Sequence, residues 1–314
     1  MPITRRKFLL TSSTAFALAA AGQFPLEAFG DEQTENLIKI TVLHTNDWHS
    51  RIEPFPMDGS KYQGTGGAAH RAALIKQIRL EEKNVLLLDA GDIFQGTPYF
   101  NYYHGELEFK LMSYMGYDAA TLGNHDFDAG ISGLAKQLPI AKFPFLTANY
   151  DFSQTALANA FQPYKIFVKE GVKIGVFAVN IELQGLVPDA LYGKTLYQEP
   201  VAIANSTATH LKHKEKCDLI ICLSHLGYKY DDTKVSDVVL AKNTRYINLI
   251  IGGHTHTFMD TPDVQKDLDG KEVWINQVGW AGINLGKIDF YFTKNKIKNK
   301  LNYQTVIVEK KTRG

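Results

Sequence analysis

A chain of 314 residues, 45% of them hydrophobic and 21% charged, has the makeup of a globular protein able to bury a large core. One big α/β domain fits that length. The formal net charge of +1 and the lack of any basic run interleaved with aromatics leave no electrostatic basis for nucleic-acid binding, so no nucleic-acid partner is expected.

Residues 1–30 read as a signal peptide and lead-in. Thr4-Arg5-Arg6-Lys7-Phe8-Leu9-Leu10 leads into an apolar, Ala-rich stretch from Ala15 to Ala21 and then a polar segment. A twin arginine followed by Phe-Leu also looks like the signal of the twin-arginine translocation pathway, which carries folded proteins. An ordinary secretory signal or a lipid-free membrane anchor is the alternative. The apolar run is short for a transmembrane helix, so a periplasmic or extracellular protein with no stable membrane anchor is expected. Cleavage after Ala19, Ala21 or Gly30 would each leave small residues in place.

The domain itself is expected over 36–310. Leu37 to Leu43 reads as a strand, and a Gly-rich loop around Gly64 to Gly67 opens a helix from Ala68 to Glu82. Strand Val85–Leu88, a helix over Leu107–Met115, strand Ala119–Leu122, a helix over Ile131–Leu138 and strand Phe143–Leu146 follow. This alternation predicts parallel strands with helices packed outside, and continuous apolar runs such as Val85–Leu88 suit strands buried on both faces.

Antiparallel pairing enters where Tyr164–Val168 and Val172–Val179 flank Glu170-Gly171 like hairpin arms. A helix over Val201–Lys214, strand Leu219–Leu223, helix Val235–Lys242 and strand Ile247–Ile251 come next. Glu272–Val278, Asn284–Phe292 and Leu301–Val308 read as a closing antiparallel meander, with Lys294–Lys300 as a solvated hairpin loop. The cysteines, Cys217 and Cys222, are five residues apart in an apolar run. One strand would point them to opposite faces, as unpaired, buried small hydrophobes.

Metal-ligand residue types gather at the C-terminal ends of these strands, where α/β folds place their sites. Strand one runs into Asn46-Asp47-Trp48-His49, strand two into Asp89-Ala90-Gly91-Asp92, and the third into Gly123-Asn124-His125-Asp126. Later, Leu223 is followed by Ser224-His225, and Ile251 by Gly252-Gly253-His254-Thr255-His256. Asp, Asn and His offer oxygen and imidazole donors without thiolate, a mix suited to zinc, manganese or a similar divalent ion. Their number exceeds one ion's need. Two ions about 3.5–4 Å apart would share a bridging carboxylate and brace both the attacking and the leaving oxygen of a phosphoryl displacement.

Asp47-x-His49, Gly91-Asp92-x-x-Gln95-Gly96, Gly123-Asn124-His125-Asp126, Ser224-His225 and Gly253-His254-x-His256 resemble the ordered motifs of the calcineurin-like metallophosphoesterases. Leu43 to Asp47, Asp89 to Thr97, Gly116-Tyr117-Asp118 and Leu122 to Asp128 narrow the resemblance to the 5'-nucleotidase and UDP-sugar hydrolase branch. The resemblance covers roughly Ile38 to Phe292. It implies a four-layer α/β/β/α sandwich with mixed sheets. It also implies one ion on Asp47, His49, Asp92 and His256, and a second on Asp92, Asn124, His225 and His254. His125 is implied as the catalytic histidine, paired with Asp128. Asp126 stands where the family often has Glu.

The implied reaction is dimetal-dependent hydrolysis of a small phosphoester, a nucleotide phosphomonoester first, by a metal-bridging hydroxide. Open alternatives are a 2',3'-cyclic-nucleotide phosphodiesterase or a thiohydrolase of the same fold, a non-catalytic metal-binding subunit of a split enzyme, and a metal-storage protein. Full-length relatives carry a C-terminal domain that grips the base. This chain is expected to stop after its catalytic domain, which leaves room for a separately encoded substrate-binding domain as partner. Supporting or structural roles are expected for His44, His70 and Asp89, orienting hydrogen bonds for Asn46 and Gln95, and surface positions for His104, His210 and His213.

Overall fold

The computed structural model describes residues 37–293 and 296–309, so residues 1–30, expected to be a signal peptide and lead-in with its paired arginines, lie outside the described residues. In chain order the first half holds β1 (Ile38–Thr45), α1 (Ala68–Glu81), β2 (Val85–Asp89), α2 (Pro98–Tyr103), α3 (Glu106–Met115), β3 (Ala119–Ala120), α4 (Gly130–Gln137) and β4 (Tyr150–Asp151). After these come β5 (Tyr164–Lys169), β6 (Val172–Asn180), α5 (Asp189–Tyr192), β7 (Leu196–Tyr197), α6 (Pro200–His213) and β8 (Leu219–His225). The last elements are α7 (Asp237–Asn243), β9 (Leu249–Gly252), β10 (Asp263–Lys266), β11 (Glu272–Asn276), β12 (Asn284–Thr293) and β13 (Lys296–Ile307).

Two large sheets form, a five-stranded one of order β13-β12-β1-β2-β3 and a six-stranded one of order β10-β11-β9-β8-β6-β5. The strand period of two divides their apolar residues between faces. Leu43, Val85 and Leu87 cluster with Ile75 and Ile78 of α1 and with Phe109 and Met112 of α3. Val42, Leu86 and Leu88 point the other way and are also fully buried. In the second sheet Phe177, Val179, Ile220 and Cys222 meet Ala204, Ala208 and Leu211 of α6 and Leu240 of α7. Helices thus cover the outer faces and the inner faces bury one another, which is the four-layer α/β/β/α sandwich with mixed sheets. Burying one such leucine contributes about 2 kcal/mol.

β1, β2 and β3 run parallel, as do β6, β8, β9 and β11, so their C-terminal ends share an edge in each sheet. β5 joins β6 antiparallel through Glu170 and Gly171 at φ 48° and 86°, the left-handed pair that a two-residue hairpin turn needs.

Several expectations are corrected. Glu272–Val278 is not part of a terminal meander. β11 enters the six-stranded sheet, parallel to β9 and antiparallel to β10, while β12 and β13 form a hairpin in the other sheet. Lys296–Lys300 is strand rather than loop, since β13 pairs with β12 from Thr293↔Lys296 onward. No strand forms at Phe143–Leu146; Pro144 has no amide hydrogen to donate, and Phe145 and Leu146 make only single bridges to Ala120 and Gln162. Helix α2, with Pro98 in its first turn, was not anticipated. Cys217 and Cys222 are free and buried, but they share one apolar cluster because Cys217 precedes the strand and is not bound by its alternation.

Candidate dimetal centre

The seven residues proposed as ligands are brought together where the two edges meet. Oxygen and nitrogen atoms of Asp47, His49, Asp92 and His256 lie within 4.8 Å of one another, and so do those of Asp92, His225 and His254. Asp92 belongs to both groups. Asn124 reaches the second, its Oδ1 being 2.8 Å from His254 Nδ1.

The backbone turns sharply to aim these groups. Asp47, His49, Asp92, His254 and His256 all have positive φ, between 51° and 72°. A non-glycine residue pays roughly 1–2 kcal/mol there, so the surroundings must hold it. The loops after β1 and β2 hold each other: Asp47 N donates to Gly91 O, His49 N to Asp92 O and Ser50 N to Ile93 O, at 2.9, 3.0 and 2.9 Å. Only glycine fits at 123, because a Cβ there would stand 2.1 Å from Asp92 Oδ1. Asp126 ties the loop after β2 to the loop after β3 by accepting from the amides of Asp92, Ile93, Phe94 and Gly123 at 2.7 to 3.1 Å. Burial nevertheless pushes its carboxyl up to about 7.

Hydrogen bonds also fix which imidazole nitrogens face inward. His225 Nδ1 donates to Ala90 O at 2.7 Å, and His49 Nδ1 sits 3.3 and 3.2 Å from the carbonyls of Phe94 and Gln95. Their Nε2 atoms therefore point toward Asp92 Oδ2, at 3.2 and 3.8 Å. Asn46 acts as expected, donating to Asp47 Oδ2 and to Gly279 O, both at 2.6 Å. Gln95 does not: its side chain is exposed, and its carbonyl does the orienting.

Charge is concentrated here. Burial opposes a charge on His225, but the Asp92 carboxylate outweighs it and pushes the imidazole up to about 10. Burial likewise works against Asp92, yet His225, His49 and His125 hold its carboxyl well below the usual range. His254 is pushed down by burial to about 4.

The donor set fits a pair of divalent ions. His225 Nε2 is fully buried without a hydrogen bond of proper geometry, and His49 Nε2 and His256 Nε2 face each other at 2.9 Å. Lone pairs converging in this way are satisfied by a cation between them. Because the metal-free site favours a protonated His225, ion entry must displace the proton on its imidazole.

His125 stands outside both groups. Its amide donates to Asp92 Oδ1 at 2.8 Å, and its ring lies edge-on to His49 at 5.4 Å. Nδ1 bonds Asp128 Oδ2 at 2.9 Å, and this bond is the main reason that the imidazole's pKa is raised. The His125 side chain is 39% exposed, so a ligand entering the site can reach it.

The remaining polar residues fall away from the centre. Asp89 accepts from Thr45 Oγ1 and Gly91 N at 2.5 and 2.9 Å, supporting the loop, and burial lifts it to about 7. His44 is buried against Gly286, and His70 bonds the carbonyl of Gly66. His104, His210 and His213 are exposed. Sequence reasoning missed Asp237, Gln277 and Trp280, whose ring stacks on His256 at 5.7 Å and 8°. No local motif marks them.

Two groups of candidate ligands sharing one carboxylate, at the joined edges of a four-layer sandwich, form the kind of arrangement that a dimetal phosphoester hydrolase requires. The chain belongs to the calcineurin-like phosphoesterase family, whose sequence model matches residues 40–258. Members of this family use two divalent ions. The chain is 31% identical to the 5'-nucleotidase of Vibrio cholerae, in an alignment covering 97% of this chain and 57% of that protein. It is 34% identical to the snake venom 5'-nucleotidase of Naja atra, covering 81% and 50%. A crystal structure of the 5'-nucleotidase precursor from Thermus thermophilus superposes with a TM-score of 0.77 at 31% identity, covering 87% of this chain and 55% of that one. The chain thus spans about half the length of these relatives. Among the described residues no helix is long and apolar enough to cross a membrane.

Proposed function

We propose that this domain hydrolyses phosphomonoesters, with nucleoside 5'-monophosphates as the preferred class, using Asp47, His49, Asp92 and His256 for one ion and Asp92, Asn124, His225 and His254 for the other. The observation that carries this reading is the placement of His125, braced by Asp128, against the carboxylate common to both groups. The 5'-nucleotidase names of its relatives support the choice of substrate. Bound ions would polarise the phosphoryl group and generate the water nucleophile. The protein's share is to hold seven donors in register and to present a protonated imidazole to the phosphoryl or leaving oxygen. Purified protein supplied with Mn²⁺ is expected to release inorganic phosphate from an aryl phosphate and from AMP, to stop when chelated, and to resume when Mn²⁺ returns. Failure to cleave either substrate with Mn²⁺ present would end this reading.

We also propose export through the twin-arginine signal, because Arg5-Arg6 precede Phe8-Leu9 and a metalloprotein gains from loading its ions before translocation. Arg5→Lys with Arg6→Lys should retain the protein in the cytoplasm, as read by cell fractionation. Undiminished periplasmic protein in that double variant would refute the pathway.

A further inference from the structure

A buried carboxylate that belongs to neither ligand group ties together the segments carrying three of the histidines. Asp237, the first residue of α7, is fully buried. Its Oδ1 accepts from Ser224 Oγ at 2.5 Å, and its Oδ2 accepts from Gln277 Nε2 at 3.2 Å. Gln277 Nε2 also donates to Gly253 O at 2.8 Å, while its Oε1 accepts from Thr257 N and Thr255 Oγ1 at 3.1 and 3.2 Å. Both hydrogens and both lone pairs of that amide are therefore committed, which fixes its orientation. Ser224 directly precedes His225, and Gly253 to Thr257 contain His254 and His256. A Cβ at Gly252 would lie 2.0 Å from Asp237 Oδ2, so the carboxylate occupies the space that any side chain there would need. Asp237 N to Gly227 O at 2.8 Å and Tyr228 N to Thr255 Oγ1 at 3.0 Å close the assembly from the loop after β8.

We infer that Asp237 is a positioning residue which, through Ser224 and Gln277, sets the spacing of His225 against His254 and His256 and thereby the divalent-ion affinity of both positions. This rests on the dimetal reading given above. The arrangement discriminates between Asp and Asn. With its N–H₂ toward Gln277, an Asn at 237 sets two N–H₂ groups against each other; with its N–H₂ toward Ser224, the hydroxyl must accept instead of donate and its own hydrogen loses the Asp237 acceptor. Gln277 cannot flip in response, because its oxygen would then face the Gly253 carbonyl and its N–H₂ the Thr257 amide.

The test uses the metal-free full protein, titrated with Mn²⁺ by calorimetry and melted with and without Mn²⁺. Asp237→Asn is expected to weaken Mn²⁺ binding about 10–100-fold, the usual cost of losing a partner behind a metal ligand, and to shrink the Tm gain that Mn²⁺ confers. Turnover lost at low Mn²⁺ should return as Mn²⁺ is raised. Near-isosteric Gln277→Met removes the same tie from its other end and answers the question if Asp237→Asn does not fold. Variants that melt earlier without metal yet bind Mn²⁺ as the wild type does would reduce the network to a structural tie and overturn the proposal. Wild-type protein that takes up no Mn²⁺ would instead remove the dimetal reading, and this proposal with it.

Discussion

Asp92→Asn is expected to strip ions from both positions and to lower kcat/KM by at least about 10³-fold, equivalent to about 4 kcal/mol of transition-state stabilisation. The substitution is nearly isosteric, so the backbone has no steric reason to move. Chemistry changes instead. One carboxylate oxygen now faces His225 Nε2 at 3.2 Å and His49 Nε2 at 3.8 Å, while the other accepts the His125 amide at 2.8 Å. An Asn side chain can keep that last bond only by turning an N–H₂ toward two imidazole nitrogens, where it would repel any cation that they hold. His225→Ala provides the contrast, since His225 belongs to the second group alone and its loss should empty mainly that position. Metal analysis of the two purified variants separates these outcomes. Asp92→Asn protein that still carries two ions would show that Asp92 does not bridge them.

His125→Asn is expected to act on the other half of the machinery, leaving metal content near normal while lowering kcat about 10²–10⁴-fold. His125 lies in neither ligand group, and its tie to the centre is a backbone amide that Asn retains. What disappears is an imidazole whose protonated form Asp128 favours from 2.9 Å away. Near-normal turnover with two ions bound would mean that the imidazole does not touch the reacting oxygens. A parallel loss of metal would mean that its role lies in assembling the site.

Much of this centre was legible because parallel α/β sheets put ligand and scaffold side by side in the chain. β8 ends on His225 itself, β9 stops two residues before His254, and the Asp47 and Asp92 turns follow β1 and β2 at once. His125 and Asp128 are likewise one short turn apart. Burial on both faces was readable in Val85 to Leu88 for the same reason, since it depends only on local apolar content. Partner choice does not. The period of Glu272–Asn276 tells which side chains face inward but not which strand lies beside it, and β11 left the expected meander for the edge of β9. The carboxylates that brace the ligands were equally silent. Asp126 was visible only as a variant motif position, not as the acceptor of four amides, and Asp237 meets partners 13 and 40 residues away. Strand ends and ligand types are local properties of the chain, whereas strand neighbours and the partners of buried carboxylates are settled by packing between distant segments, which no short stretch of sequence encodes.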